Sequence, residues 1–149
     1  MGYTLIRADE LFQEDRAEPK VYLGGNCRGR DWRLEFFHRF EKDNVIFINP
    51  RRDTFADPDL DPVSHAKQVA WDKTAIDHSQ WVVFWLGEGL SNQAARVEIG
   101  YAIGKGKTVL IGAEDGFLGL EHLTAFSGMV LSSSLDGLIN RFASVLKAS

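Results

Sequence analysis

The stretch WVVFWL, residues 81–86, decides the fold because all six of its side chains are apolar. A strand built from it must be covered on both faces, which is typical of the centre of a parallel sheet with helices on either side. Shorter apolar runs indicate further strands at residues 21–25, 45–49, 108–112 and 129–132. We therefore predict a sheet of five strands.

Helical patterns lie between and after these strands. Residues 31–40 place four aromatic side chains on one helical stripe, with Arg33 off it. A serine triplet that can supply an N-cap precedes apolar residues at helical spacing over 135–146. The alternation of strand and helix predicts an α/β fold with a doubly wound, five-stranded parallel sheet and helices on both faces. Such sheets bind ligands in the crevice beyond the carboxyl ends of their strands.

Length and composition fit one domain spanning residues 1–149, with residues 1–19 as an irregular or edge extension. The net charge of -4 argues against a nucleic acid polymer as partner, because such binding requires cations that neutralise phosphates. The single cysteine, Cys27, fits a reducing compartment. We see no export signal and no apolar run long enough to span a membrane, so we expect a cytoplasmic protein without a membrane partner.

Two glycine-bearing stretches look like nucleotide motifs but lack a required residue. In GKGKT, residues 104–108, the first glycine of a phosphate-binding loop would fall on Tyr101. In GEGLSN, residues 87–92, Asn92 replaces the third glycine of a dinucleotide fingerprint. No metal-ligand spacing is present among the histidines, which are His38, His65, His78 and His122. We therefore expect neither a metal nor a cofactor.

Glu98 lies in RVEIGYAIGKGKT, residues 96–108, on the side of a helix that should be buried. Its neighbours three and four residues away are small or aromatic: Ala94, Ala95, Tyr101 and Ala102. A buried carboxylate costs several kcal/mol unless it is paired or its pKa rises. Such a group suits a nucleophile or an acid in a ligand crevice, near a helix start that Ser91 or Asn92 can cap. Alternatively, the helix lies at the sheet edge and Glu98 reaches water or Arg96.

Asp72 is a second carboxylate that a helical pattern places next to apolar residues. Its helical neighbours are Gln68, Val69, Ala75 and Ile76. Alternatively, Asp72 caps a short helix over residues 73–79 and has a purely structural role. Two carboxylates near one crevice favour glycosidic chemistry, in which one attacks the anomeric carbon and the other handles the proton of the leaving group.

Three segments, VYLGG (21–25), WDKTAI (71–76) and VEIGYAIGKGKTVLI (97–111), together resemble the nucleoside 2-deoxyribosyltransferase family. The resemblance runs from about residue 20 to 112. It implies a flavodoxin-like fold and the exchange of the base of a 2'-deoxynucleoside through a covalent deoxyribosyl-enzyme. The partners would then be small molecules, namely a deoxynucleoside or deoxynucleotide and a nucleobase.

Carried over by the resemblance, Glu98 is the nucleophile, Tyr22 helps to position it and Asp72 contacts the base. One departure concerns Asn92, because the transferases usually carry an aspartate there that holds the sugar hydroxyls. An amide cannot accept in the same charged way, and its neutrality removes a charge that would repel phosphate.

The loop GGNCRGR, residues 24–30, is similar to the loop of a related group, the 2'-deoxynucleoside 5'-monophosphate N-hydrolases. In that reading Arg28 and Arg30 bind a 5'-phosphate. In the alternative reading they are a basic flank on a surface helix. Arg51 and Arg52 in NPRRD, residues 49–53, are open to the same two readings. The expected substrate-binding residues are Gly24, Gly25, Asn26, Arg28, Arg30, Asn49, Ser91 and Asn92.

Three functions remain open from the sequence. The first is transfer of 2-deoxyribosyl between bases, and the second is hydrolysis of a deoxynucleoside monophosphate. The third is a non-catalytic nucleotide-binding module of the same fold. Because members of the resembled family complete their sites with residues of a neighbouring subunit, we also expect a homo-oligomer.

Overall fold

The computed structural model describes residues 2–12 and 15–149. Five strands and five helices follow one another in this described part of the chain: β1 (Thr4–Arg7), β2 (Lys20–Gly25), α1 (Arg33–Arg39), β3 (Ile46–Asn49), α2 (Pro62–Asp77), β4 (Trp81–Leu86), α3 (Gln93–Gly104), β5 (Thr108–Ala113), α4 (Leu120–Ser127) and α5 (Leu135–Ala148).

The five strands form one parallel sheet in the order β1-β3-β2-β4-β5. From β2 the chain moves outward to β3 and then crosses back to place β4 on the other side of β2. This reversal creates a topological switch point between β2 and β4, where the crossover connections leave a crevice. The predicted doubly wound, flavodoxin-like fold is confirmed.

WVVFWL is the strand β4, and it pairs with β2 on one side and with β5 on the other. Val82 and Phe84 point into one core layer, whereas Val83 and Trp85 point into the opposite layer. Both layers are apolar because helices cover both faces of the sheet, as expected for a central parallel strand.

The helices divide between the two faces of the sheet. On one face α2 and α3 bury Ile76 and Ile99 against the strands. On the other face α1 and α5 bury an aromatic cluster that includes Phe36 and Phe142. The serine cap predicted before α5 is confirmed, because Ser134 accepts a hydrogen bond from the Gly137 backbone N–H.

The strand predicted over residues 129–132 is wrong. Only Ser132 pairs with the sheet there, through an isolated bridge to Gly112 in β5. The rest of the segment is at least partly exposed, so no ladder is formed. The fifth strand is instead β1, which pairs with β3 at the other edge and lies within the predicted N-terminal extension.

Two predictions about helices also need correction. The aromatic pattern predicts Arg33 off the buried stripe of α1, but Arg33 is fully buried. Its burial is possible because the guanidinium donates to the carbonyls of Leu23 and Asn26 at 2.8 and 2.7 Å. The short helix capped by Asp72 is wrong. The helix α2 begins four turns upstream of its end, after Asp61, whose side chain accepts a hydrogen bond from the Ser64 N–H.

Candidate active site

A cavity of about 510 Å³ opens at the carboxyl ends of β2 and β4. Its lining comes from β2 and the segment after it (25–28), the segment after β3 (50–58), the segment after β4 (90–92), and the helices α2 and α3. This is the switch point of the sheet, where open α/β folds bind ligands, and the volume suits a small molecule.

Glu98 lies in the second turn of α3 and lines this cavity. Its Oε1 accepts a hydrogen bond of 2.6 Å from the hydroxyl of Tyr22, a fully buried residue of β2. The bond joins a helix to the central part of the sheet and fixes one carboxyl oxygen. The other oxygen is left to face a ligand.

Burial raises the pKa of Glu98 to about 7. The Tyr22 hydrogen bond opposes this rise, and the nearby Asp72 carboxyl reinforces it. Burial, together with the adjacent Glu98, also raises the pKa of Tyr22 well above its usual value. Tyr22 therefore stays protonated and donates to Glu98 across the physiological pH range.

Asp72 lies inside α2 and lines the same cavity. Its Oδ1 is 3.2 Å from Nη1 of Arg52, whose side chain is only 6% exposed. Burial raises the pKa of Asp72 to about 6, and the Arg52 charge opposes that rise. The site thus contains two carboxyl groups with raised pKa values, a feature that is common in functional sites.

The start of α3 differs in detail from the prediction. Asn92 occupies the N-cap position with φ 54°, but its side chain makes no capping hydrogen bond. Its Nδ2 donates to the carbonyl of Leu90 at 3.1 Å. Arg96 donates to the carbonyls of Ser91 and Leu118. The alternative in which Glu98 pairs with Arg96 is therefore wrong.

The end of β2 is shaped by two glycines. A Cβ on Gly24 would lie 2.4 Å from the ring of Phe84, so this glycine permits close packing of β2 on the core. Gly25 has φ +109°, and a Cβ there would lie 2.0 Å from the carbonyl oxygen of Trp85. Only Gly25 of the two lines the cavity.

The two arginines in the rest of the loop after β2 differ in their contacts. Arg30 pairs with Glu88 at 2.9 Å and with Glu35, and it lies outside the cavity lining. Arg28 is exposed and lines the cavity, and it has no hydrogen bond or ion pair to any residue that the structure describes. Its guanidinium is therefore available to an anionic ligand.

Eight of the eleven predicted site residues line the cavity: Tyr22, Gly25, Asn26, Arg28, Asp72, Ser91, Asn92 and Glu98. Gly24, Arg30 and Asn49 do not. The Asn49 side chain shapes the loop after β3 by accepting a hydrogen bond from the Arg51 N–H at 2.9 Å. The carboxamide of Asn26 is buried in the cavity wall without a hydrogen-bond partner among the described residues.

The predicted site residues do not include several residues of the cavity, among them Arg52, His65 and Gln68. Its place after β3 made Arg52 a candidate for a phosphate contact, but that place does not predict its contact with Asp72. Within residues 2–12 and 15–149, no group of three His, Cys, Asp or Glu side chains is arranged to hold a metal ion.

Comparison with models of known protein families identifies the family of this chain. A family model described as nucleoside 2-deoxyribosyltransferase like matches residues 18–117. The chain belongs to this family. The matched region of this nucleoside 2-deoxyribosyltransferase-like protein contains Tyr22, Asp72 and Glu98 but not β1.

No curated protein matches the chain of this nucleoside 2-deoxyribosyltransferase-like protein in a sequence search. In the part of the chain that the structure describes, every helix is too short or too polar to cross a membrane.

Proposed function

We propose that this protein cleaves the N-glycosidic bond of a 2'-deoxynucleoside and transfers the 2-deoxyribosyl group to another base. The observation that carries the proposal is the 2.6 Å hydrogen bond from Tyr22 to Glu98 in the cavity that Asp72 also lines. This hydrogen bond orients the Glu98 carboxyl group as a nucleophile, and the Asp72 carboxyl group is available for proton transfer.

In the first step, the ionised Glu98 attacks C1' of the sugar. The bond from C1' to the base nitrogen breaks, and its electron pair leaves with the base. Asp72, in its protonated form, donates a proton to the departing base. The products are a glycosyl ester on Glu98, a neutral base and an ionised Asp72.

In the second step, a nitrogen of the incoming base attacks C1' and displaces the Glu98 carboxylate. The proton of that nitrogen passes to Asp72, which returns both carboxyl groups to their starting state. Tyr22 donates to Oε1 throughout, so it orients the nucleophile and supports the charge that reappears on Glu98.

The raised pKa values of about 7 for Glu98 and about 6 for Asp72 bear on this mechanism. Between these values the pair carries roughly one proton, shared between the two sites. Only molecules with the charge on Glu98 and the proton on Asp72 can react. The reacting form is a minor but sizeable part of the singly protonated pair.

Base exchange tests the proposal. Wild-type protein is incubated with a deoxynucleoside and a different free base, and the new nucleoside is followed by chromatography. We expect exchange in the wild type and its loss in Glu98→Ala. The matched control is Glu121→Ala, which removes an exposed glutamate of α4 outside the cavity. Exchange that persists in Glu98→Ala contradicts the mechanism, whereas thermal stabilisation by ligands without turnover of any donor indicates a binding module.

A deoxynucleoside 5'-monophosphate is the second candidate donor, with water as the acceptor. Arg28 favours it, because this arginine lines the cavity and has no ion pair with any described residue, and the neutral Asn92 does not repel a phosphate. Base release from the monophosphate but not from the nucleoside, lost in Arg28→Gln and kept in the control Arg39→Gln, would select this reaction. An unchanged preference of Arg28→Gln for the monophosphate would exclude a phosphate contact by Arg28.

Further properties belong to the same proposal. We propose a single domain over residues 1–149, a homo-oligomeric state and a cytoplasmic location. The oligomeric state follows the resemblance, since related sites are completed by a neighbouring subunit, and light scattering can measure it.

A further inference from the structure

Arg52 connects Asp72 to an acidic residue that lies far from it in the sequence. The Nε and Nη2 atoms of Arg52 donate to Asp9 Oδ2 and Oδ1 at 3.1 and 3.0 Å. The third nitrogen, Nη1, lies 3.2 Å from Asp72 Oδ1. One guanidinium therefore bridges two carboxylates, with its two-pronged edge on Asp9 and a single nitrogen on Asp72.

Weaker contacts of Arg52 accompany its pairing with Asp9. Nη2 also donates to the carbonyl of Gln68 at 3.3 Å, and Nη1 donates to that of Pro50 at 3.4 Å. The ring of Trp71 lies 5.6 Å from the guanidinium carbon. Two parallel hydrogen bonds bind a carboxylate more strongly than a single contact does. Asp9 therefore has the stronger interaction with the guanidinium, and Asp72 has the weaker one.

Asp9 is itself held in place by the turn that follows β1. It has φ +69°, a conformation that aspartate tolerates better than most residues. The turn is closed by a hydrogen bond from the Glu10 N–H to the Arg7 carbonyl at 3.1 Å. The indole N–H of Trp71 donates to the Glu10 carbonyl at 2.9 Å, which docks the turn on α2.

This turn lies outside the region that matches the family, residues 18–117. A contact of the site is thus made by a segment that the family match does not cover.

We propose that Asp9 is a positioning residue of the active site, which holds the paired edge of Arg52 away from Asp72 and so keeps Asp72 able to carry a proton. The proposal rests on the proposed function in one respect, the role of Asp72 as the acid.

Without the Asp9 carboxylate, the paired edge of Arg52 keeps only the long hydrogen bond from Nη2 to the Gln68 carbonyl, at 3.3 Å. That edge can then rotate onto Asp72, where two charge-assisted hydrogen bonds stabilise the carboxylate and lower its pKa. Loss of the Asp9 charge acts in the same direction, since that charge raises the pKa of Asp72. Charged and titratable groups that face Asp72 or line its cavity are Arg52, Asp9, Arg33, Glu98, Tyr22, Cys27, Arg28 and His65.

The test is a direct titration of Asp72 by carbon-13 NMR of its carboxyl group, assigned through Asp72→Asn. We expect the pKa of Asp72 to fall by about one unit in Asp9→Asn, the size of change that a close arginine produces. Asp9→Glu, which restores a carboxylate, should return it towards the wild-type value. The matched control is Asp53→Asn, which removes an exposed aspartate next to Arg52 in sequence. An unchanged or raised pKa in Asp9→Asn overturns the proposal.

A second readout uses turnover. In Asp9→Asn the maximal rate should fall about tenfold, because fewer molecules carry the proton on Asp72, and the acid limb of the pH profile should move about one unit lower. KM should change little, because Asp9 does not line the cavity. If no donor is turned over, the proposed function fails while the NMR titration still decides whether Asp9 controls Asp72. A rate loss with an unmoved pH profile would mean a merely structural role.

Discussion

Glu98 is a carboxyl group in a largely apolar setting, and its protonation couples the site to the stability of the fold. Its pKa is about 7 in the folded protein and about 4.5 when unperturbed. As pH rises through this window, the unfolded chain loses its proton before the folded protein does. The folded state therefore loses stability from about pH 4.5 to 7, by up to about 3 kcal/mol in total.

This predicts the effect of Glu98→Gln on stability. Glutamine keeps a carbonyl that can accept the Tyr22 hydrogen bond, but it has no charge to bury. We expect the free energy of unfolding to rise by up to about 3 kcal/mol at pH 8 and to change little at pH 4. Urea unfolding at the two pH values measures it. An equal effect at both would mean that the Glu98 charge is well solvated.

The pair formed by Glu98 and Asp72 predicts a bell-shaped pH profile. Below about pH 6 both carboxyl groups are protonated and no nucleophile exists, whereas above about pH 7 both are ionised and no acid exists. We expect kcat/KM to peak between these values, which belong to the pair rather than to either residue. Initial rates from pH 5 to 9 measure this, and a flat profile would remove the pair from the chemistry.

At the scale of elements, the strands that bury both faces were predictable. An uninterrupted apolar run such as 81–86 can be satisfied only in the middle of the sheet. The edge strand β1 is short and carries little apolar signal, so the sequence did not identify it. The apolar run at 129–132 misled because hydrophobicity alone does not supply a paired backbone, and only Ser132 is held, at Gly112.

The helix α2 illustrates another limit. It buries only Ala75 and Ile76, so its 16 residues carry no apolar stripe from which the helix could be predicted. The sequence does contain a signal for the start of this helix, namely Asp61 as the N-cap and Pro62 in the first turn. Reading that start would have placed Asp72 inside a helix that faces the cavity.

Arg33 in α1 leads to a prediction about the loop after β2. Its guanidinium donates to the carbonyls of Leu23 and Asn26, which keeps that loop in the cavity wall. We expect Arg33→Met to lower the free energy of unfolding by about 3 kcal/mol, because two buried carbonyls lose charged donors. Chemical denaturation measures the loss. The control is Arg39→Met on the exposed side of α1, and equal stabilities would contradict this role of Arg33.

At the scale of the whole molecule, the site joins residues that are distant in the sequence. Tyr22, Asp72 and Glu98 meet because the helices α2 and α3 pack on the face of the sheet that Tyr22 also faces, beside the switch point. Sequence spacing could suggest that place but not which side chains reach the cavity. Arg28 and Arg30 are two residues apart, yet only Arg28 of the two lines the cavity. Arg30 instead forms ion pairs with Glu88 and Glu35 outside it.

Self-association is the prediction that belongs to this scale. Several large apolar side chains are strongly exposed in the single chain, among them Leu118, Phe126 and Val130 at 82, 80 and 79%. A second copy could cover such side chains, and the family resemblance implies a shared site. We expect light scattering at micromolar concentration to give a mass above that of one chain. A monomeric mass would contradict the prediction.

The central claim is that Glu98 forms a bond to the sugar. The most direct measurement is mass spectrometry of protein quenched with acid during turnover of a deoxynucleoside, followed by digestion and sequencing of the modified peptide. We expect a 2-deoxyribosyl group on Glu98 that disappears when an acceptor base is added. Turnover with the sugar attached to another residue, or with no adduct while Glu98→Ala remains active, would contradict it.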